Sequence, residues 1–365
     1  MMHFLIVAGS KNRLSIYSIF LIIFFSGCSD DVDNITSPYT PTELTNSTWE
    51  IIPNPDAVGW SSSKLQEAYE YSKSIQTAAV MIIYDGKVLY HWGEVDRKFY
   101  IHSCRKSLLS ALYGIHVEEG NIELSKTMDD LGIDDKPPSL SELEKTATVK
   151  MLLKARSGIY HEAALESAGM KADRPERHSH SPGTFWYYNN WDFNALGTIF
   201  EQETGKKIFE EFKDRIADPI GMEDFQIGDC KYVYEDVSLH PGYPFRMTAR
   251  DMARFGLLFL NNGIWNGNRI ISKEWIKEST TSYSDAGGNG GYGYMWWIEV
   301  DGRHIPGLKM AEGTYSARGY NGHYILIIPE MDLVIVHRVN TDIDNSVDGI
   351  QFAMLTGLIL DARIE

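Results

Sequence analysis

The chain changes its hydrophobic period several times, and the changes divide it into elements. Ala79-Val80-Met81-Ile82-Ile83-Tyr84 is an apolar run, Asp85-Gly86 a turn dipeptide, and Lys87 to His91 a second run; together they predict a β-hairpin. Soon after, Leu108, Leu109, Leu112 and Ile115 fall at helical spacing. Glu119-Gly120 closes that run, glycine being suited to a left-handed cap. Before the hairpin, Ser61 to Ser74 predicts an amphipathic helix. From 121 to about 245 helical signals dominate. Thr148 to Leu153 leads into the turn Ser157-Gly158-Ile159, and a helix from Asp192 to Glu203 ends on Thr204-Gly205. Thr248-Ala249-Arg250-Asp251 opens a further helix whose stripe is Met252, Phe255, Leu258 and Phe259, stopped by Asn261-Asn262-Gly263. Strand signals return at Tyr294 to Val300, Tyr324 to Ile328 and Leu333 to Val336, and a last apolar helix covers roughly Ile350 to Leu360. Strands near both ends with helices between predict one sheet completed by both ends of the chain, plus an inserted helical lobe at about 121–245.

The apolar share of 43% and charged share of 23% are globular values, and 365 residues can bury one large core or two modest ones. The formal charge of -16 argues against nucleic acid or an anionic membrane surface as a partner. No zinc spacing, phosphate-cradling glycine loop or internal repeat is present, so no metal or organic cofactor is expected. The N-terminus adds a compartment. Lys11 and Arg13 precede an apolar run from Leu14 to Phe25, followed by Ser26-Gly27-Cys28. That order is a secretory signal, and the run is short for a spanning helix. Residues 29–57, rich in Asp, Asn, Thr, Ser and Pro, read as a tether, leaving 58–365 as the folded domain. Cys104 and Cys230 are expected to be free thiols, since Cys104 lies inside a helix start. Asp129, Asp130, Asp134 and Asp135 read as a solvated turn, and His161, His178 and His180 as solvated loop residues.

Two stretches carry candidate chemistry. In His102-Ser103-Cys104-Arg105-Lys106, Ser103 and Lys106 are three apart and share a face of the first helical turn. A serine hydroxyl is a weak nucleophile until a base takes its proton, and a lysine amine can do so when burial and the helix dipole lower its pKa. The spacing alone equally fits a helix cap and a solvated lysine, and Ser61-Ser62-Ser63-Lys64 matches it too. The second stretch is Ser181-Pro182-Gly183-Thr184-Phe185-Trp186-Tyr187-Tyr188-Asn189-Asn190. Tyr188 is a phenol able to relay a proton, and Asn190 an amide able to donate to a substrate carbonyl; the alternative is an aromatic loop packed in a core. Tyr292, Tyr294, Trp296 and Trp297 either wall an apolar pocket or pack in the core.

These motifs, in this order, resemble the penicillin-recognising serine hydrolases, nearest to their class C beta-lactamase, esterase and 6-aminohexanoate-dimer hydrolase branch. The matches are Ser103 to Lys106, Tyr188-Asn189-Asn190 with Pro-Gly-Thr upstream and Leu196-Gly197 downstream, Leu152 to Ile159, Thr248 to Phe259, Tyr292 to Trp297 and Gly319 to Val336, over about residues 60 to 360. The resemblance implies an α+β fold, an antiparallel sheet flanked by helices, with the inserted lobe. It implies an acyl-enzyme on Ser103, with Lys106 and Tyr188 as general base and acid, acting on a small-molecule amide or ester. D-amino-acid peptidase or beta-lactamase activity, or a catalytically silent binding protein that keeps the fold, are the alternatives. The family's Lys-Thr-Gly strand motif falls, by gapless counting from Pro329-Glu330, on Thr314-Tyr315-Ser316, where no lysine stands. The same counting gives Ser316 as a substrate contact and the backbone N–H groups of Ala317 and Ser103 as an oxyanion hole. His323 and Arg318 are the nearby candidates for a binding charge. Ending in Ser-Gly-Cys, residues 1–28 resemble a bacterial lipoprotein signal, implying lipidation at Cys28 and a membrane-tethered place in the cell envelope.

Overall fold

The first long strand pairs with the last, so both ends of the folded region close one sheet. The computed structural model describes Leu44 and residues 47–364. Helix α1 (Ser62–Ser74) precedes the hairpin β1 (Thr77–Tyr84) and β2 (Lys87–Gly93), then β3 (Phe99–Tyr100) and α2 (Cys104–Glu118). The inserted stretch carries α3 (Val149–Leu153), α4 (Ala168–Asp173), α5 (Asn190–Thr204) and α6 (Ile208–Phe212). After it come β4 (Arg246–Met247), α7 (Ala249–Leu260), the small hairpin β5 (Ile264–Trp265) and β6 (Asn268–Arg269), and α8 (Lys273–Ser279). The chain finishes with β7 (Ser284–Asp285), β8 (Gly291–Tyr292), β9 (Trp297–Ile298), β10 (Tyr315–Gly319), β11 (His323–Ile328), β12 (Leu333–Val339) and α9 (Gly349–Asp361). The main sheet runs β2-β1-β12-β11-β10-β9-β8-β7, every pair antiparallel.

Period-two alternation sorts each strand onto two cores. Met81 and Ile83 of β1 and Val334 and Val336 of β12 face the core built with α2, α5 and α7. Val80, Ile82, Leu333 and Ile335 face the core closed by α1 and α9. Both faces being covered explains why these strands read as near-continuous apolar runs. Helix α2 runs through the first core and is buried from Cys104 to His116. It packs without clearance on α8: a Cβ at Gly114 would stand 2.3 Å from the Trp275 ring, so only glycine fits.

Most predicted elements form as read. Ser61, Thr148 and Thr248 cap their helices with side-chain oxygens, and Gly120 and Gly205 take the left-handed conformation past α2 and α5. Cys104 and Cys230 are free. Five expectations are corrected or bounded. Of the strand read at Tyr294 to Val300 only β9, Trp297–Ile298, forms; residues 293–296 are the turn that joins it to β8. Met295 is left-handed and Gly293 N–H donates to Trp296 O at 2.9 Å, which turns the aromatic residues inward. The stretch 121–245 contributes no strand to the sheet, but outside α5 it is mostly irregular. Its backbone is tied by side chains: Asp135, read as solvated, is buried and accepts from Trp191 Nε1 at 2.6 Å, Ser238 Oγ at 2.7 Å and Leu239 N at 2.7 Å. The tether read to 57 does not extend that far. Trp49 and Ile52 are buried, and Ile52 N–H donates to Val88 O at 2.8 Å. The signal segment and Cys28 lie outside the described residues. No helix among the described residues is long and apolar enough to cross a membrane.

Candidate active site

Ser103 stands where β3 hands the chain to α2. His102 makes that corner in a left-handed conformation, its Nε2 2.8 Å from Thr341 Oγ1. The end of β10 closes on the same corner, since a Cβ at Gly319 would lie 2.4 Å from Ile101 O. Ser103 is already helical, at φ -72 and ψ -8, and its side chain caps nothing. Its hydroxyl is therefore left for another partner.

That partner is Lys106. Its Nζ hydrogen-bonds Ser103 Oγ at 2.7 Å and the Tyr188 hydroxyl at 2.8 Å. Lys106 is 1% exposed and forms no ion pair among the described residues. Burial holds its pKa well below the usual lysine value, and the neighbouring charge of Arg105 lowers it further. Burial raises the Tyr188 phenol above its usual value. Both shifts favour the uncharged forms of the amine and the phenol.

Tyr188 arrives on the turn into α5. Asn189 caps that helix, accepting from Asp192 N at 2.8 Å, and its Nδ2 donates to Tyr187 O at 2.8 Å. Asp192, pushed up to about 8 by burial, accepts from Ser157 Oγ at 2.5 Å, which ties the turn to the loop after α3. The Tyr188 ring is walled by Phe193, Tyr292 and Trp297 at centroid distances of 5.0, 5.8 and 5.4 Å.

A cavity of about 880 Å³ opens over this group, lined by Ser103, Arg105, Tyr188, Asn190, Trp297 and Arg318 among others. Asn190 faces it differently from the expectation. Its Nδ2 is committed to Leu165 O at 2.5 Å and Ala164 O at 3.3 Å, so the atom left without a partner is the acceptor Oδ1, not a donor. Ser316 and Ala317 are fully buried and do not line the cavity; Arg318, Gly319 and Tyr320 do. The gapless count thus falls about two residues short, because strand alternation and the Gly319 approach decide which residues reach the opening. His323 is buried behind the corner, with Nδ1 accepting from Arg338 Nε at 3.0 Å. Burial, then the Arg338 charge, keeps its pKa well below the usual histidine value, so it offers no positive charge. Of the four aromatic residues, Tyr292, Tyr294 and Trp296 are core and Trp297 is the wall. Among the described residues no His, Cys, Asp or Glu cluster is arranged to hold a metal. Arg105 was hidden in plain view: nothing in its spacing separates it from a surface arginine.

The beta-lactamase family model matches residues 63–353, and the chain belongs to that family. A protein of Alkalihalophilus pseudofirmus is 23% identical over 297 residues, 72% of this chain and 84% of that one. The 6-aminohexanoate-dimer hydrolase of Paenarthrobacter ureafaciens is 30% identical over 99 residues, 24% of this chain and 23% of that one. The crystal structure of a beta-lactamase/D-alanine carboxypeptidase from Pseudomonas syringae has the same fold, with a TM-score of 0.61 and 17% identity over 84% of this chain and 98% of that one.

Proposed function

We propose that this member of the beta-lactamase family is a serine hydrolase that cleaves an amide or ester through an acyl-enzyme on Ser103. The observation that carries the reading is the three-way contact: one buried, unpaired amine within 2.8 Å of both an alcohol and a phenol. The neutral amine of Lys106 takes the Ser103 proton as Oγ attacks the substrate carbonyl. Tyr188, hydrogen-bonded to the same amine, passes a proton to the leaving group, and the pair then activates water for deacylation. The N–H of Ser103 donates to no acceptor among the described residues and Ser103 lines the opening, which suits one half of an oxyanion hole. The second donor is assigned to the end of β10, where Arg318 and Gly319 reach the cavity.

Treating the full chain with a fluorophosphonate probe tests this. Ser103 is expected to be labelled and p-nitrophenyl butyrate to be hydrolysed. Ser103→Ala is expected to lose both, with turnover falling on the order of 10³–10⁶-fold and the fold intact. A folded wild-type chain that neither reacts with the probe nor turns over any ester or amide would overturn the reading in favour of a binding protein.

A further inference from the structure

Two arginines line the cavity, and they differ in what holds them. Arg318 is satisfied at every nitrogen: Nε donates to Ser316 Oγ at 3.0 Å, Nη1 to Asn289 Oδ1 at 3.1 Å and Nη2 to His304 O at 2.8 Å. Its guanidinium also lies over Trp297 at 4.8 Å. Arg105 is not satisfied. Nη2 donates to Asn194 Oδ1 at 3.1 Å and the guanidinium lies 4.0 Å from the Tyr243 ring centre, yet Nη1 has no partner. The residue is 3% exposed and enters no ion pair among the described residues. Neither cavity carboxylate pairs with Arg105. Glu166 Oε2 accepts from Arg174 Nη2 at 2.5 Å while its Oε1 is buried without a partner, and Glu235 Oε1 accepts from Leu165 N at 2.9 Å.

A whole positive charge is thus kept in a dry wall by two neutral groups, two residues along the helix from Ser103. Removing a cation from water is costly unless an anion meets it. A guanidinium presents planar, paired N–H groups that fit a carboxylate. With one edge on Asn194 and a face on Tyr243, the direction of the free edge is fixed. Asn194 is itself held, its Nδ2 donating to Ala164 O at 3.0 Å.

We infer that Arg105 is a specificity residue that docks an anionic group of the substrate, with carboxylate as its simplest form. The inference rests on Ser103 being the nucleophile and deepens that reading by naming a substrate class. It has a second consequence. The Arg105 charge is one of the two influences that lower the Lys106 pKa. An anion on Arg105 offsets that influence and makes the amine a stronger base once substrate is seated.

The test uses the full chain and two matched pairs of esters. Mono-p-nitrophenyl glutarate against p-nitrophenyl valerate puts the charge on the acyl side; 4-carboxyphenyl butyrate against phenyl butyrate puts it on the leaving group. At least a tenfold preference in kcat/KM for the charged member is expected in one pair, and that pair tells which end Arg105 holds. Arg105→Met is expected to reduce the preference tenfold or more. Arg105→Gln keeps an amide for Asn194 without the charge, and is expected to do the same if the methionine variant does not fold. Bound glutarate should also move the acid limb of Ser103 labelling to higher pH in the wild type only. No preference in the wild type, or an undiminished one in a folded charge-free variant, overturns the inference while leaving the nucleophile assignment standing. If the wild type hydrolyses neither kind of ester, the hydrolase reading fails instead. Calorimetric titration with glutarate then decides: binding weakened tenfold by the loss of Arg105 supports the docking role, and equal binding ends it.

Discussion

The chain contains the same four-residue pattern twice, and the two copies do opposite things. Ser61 enters α1 from an extended backbone at φ -76 and ψ 112, so its Oγ turns back and accepts Lys64 N–H at 3.3 Å. Lys64 points outward and its Nζ donates to Asp361 O at 2.8 Å near the end of α9. Ser103 enters α2 already helical, so its Oγ is spent on no cap, and Lys106 turns inward beneath it. A rotation of about one backbone dihedral thus converts a capping hydroxyl into one presented to an amine. What differs is tertiary: His102, immediately ahead of Ser103, is left-handed and Gly319 presses on that corner, whereas the left-handed residue ahead of Ser61 is Gly59, one position further off. Burial completes the contrast: Lys106 is removed from water, which lowers its pKa, while Lys64 is exposed.

The comparison can be broken from either side. The largest effect is expected for Lys106→Met, which should slow Ser103 acylation roughly 10²–10⁴-fold, as removal of a general base does; Lys64→Met should leave the labelling rate at wild type. Equal rates in the two variants would mean that burial of the second copy has no chemical use. The next effect is in pH. Because the Lys106 amine is held below its usual pKa, protonation on the acid side removes the base, so labelling should rise with pH through that lowered value and then level off. Stability runs in the same direction. Between the folded and the ordinary lysine pKa the unfolded chain binds the extra proton, so this group's contribution grows as pH rises through that window and is absent in Lys106→Met. Denaturant titrations of the two chains across pH 6 to 10 measure the difference. The smallest effect belongs to Ser61→Ala, which should cost about 1 kcal/mol of stability through the lost cap and leave acylation untouched. A loss of labelling there would show that the first copy also reaches the chemistry.

Local rules account for what was legible in advance. Caps at Thr148 and Thr248, stops at Gly120 and Gly205, and the hairpin around Asp85-Gly86 depend on a few neighbouring residues. The alcohol, amine and phenol that meet at the cavity were legible because their order along the chain is distinctive. What escaped depends on distant partners. The turn at Met295 exists because three of the four aromatic residues around it are drawn into the core, which no alternation within Tyr294 to Val300 reveals. Asp135 looks like its solvated neighbours until Trp191 and Ser238 meet it from far along the chain. The donor of Asn190 is consumed by carbonyls at 164 and 165, which leaves the donor role expected of it without a free N–H. Counting from Pro329 misplaced the cavity-facing residues of β10, because distance along a strand does not tell where the neighbouring corner leaves an opening.

Gly114, pressed against the indole of Trp275, has a bearing on how such a molecule can be retooled. The rod that carries alcohol and amine is packed without clearance at that point, which resists its rotating or slipping against α8. On the hydrolase reading proposed above, new substrates would be accommodated by redrawing the rim, at 165–170, 231–235 and 318–320, while the rod stays constant. A lineage, or an engineer, inherits a fixed tool with an exchangeable mouthpiece.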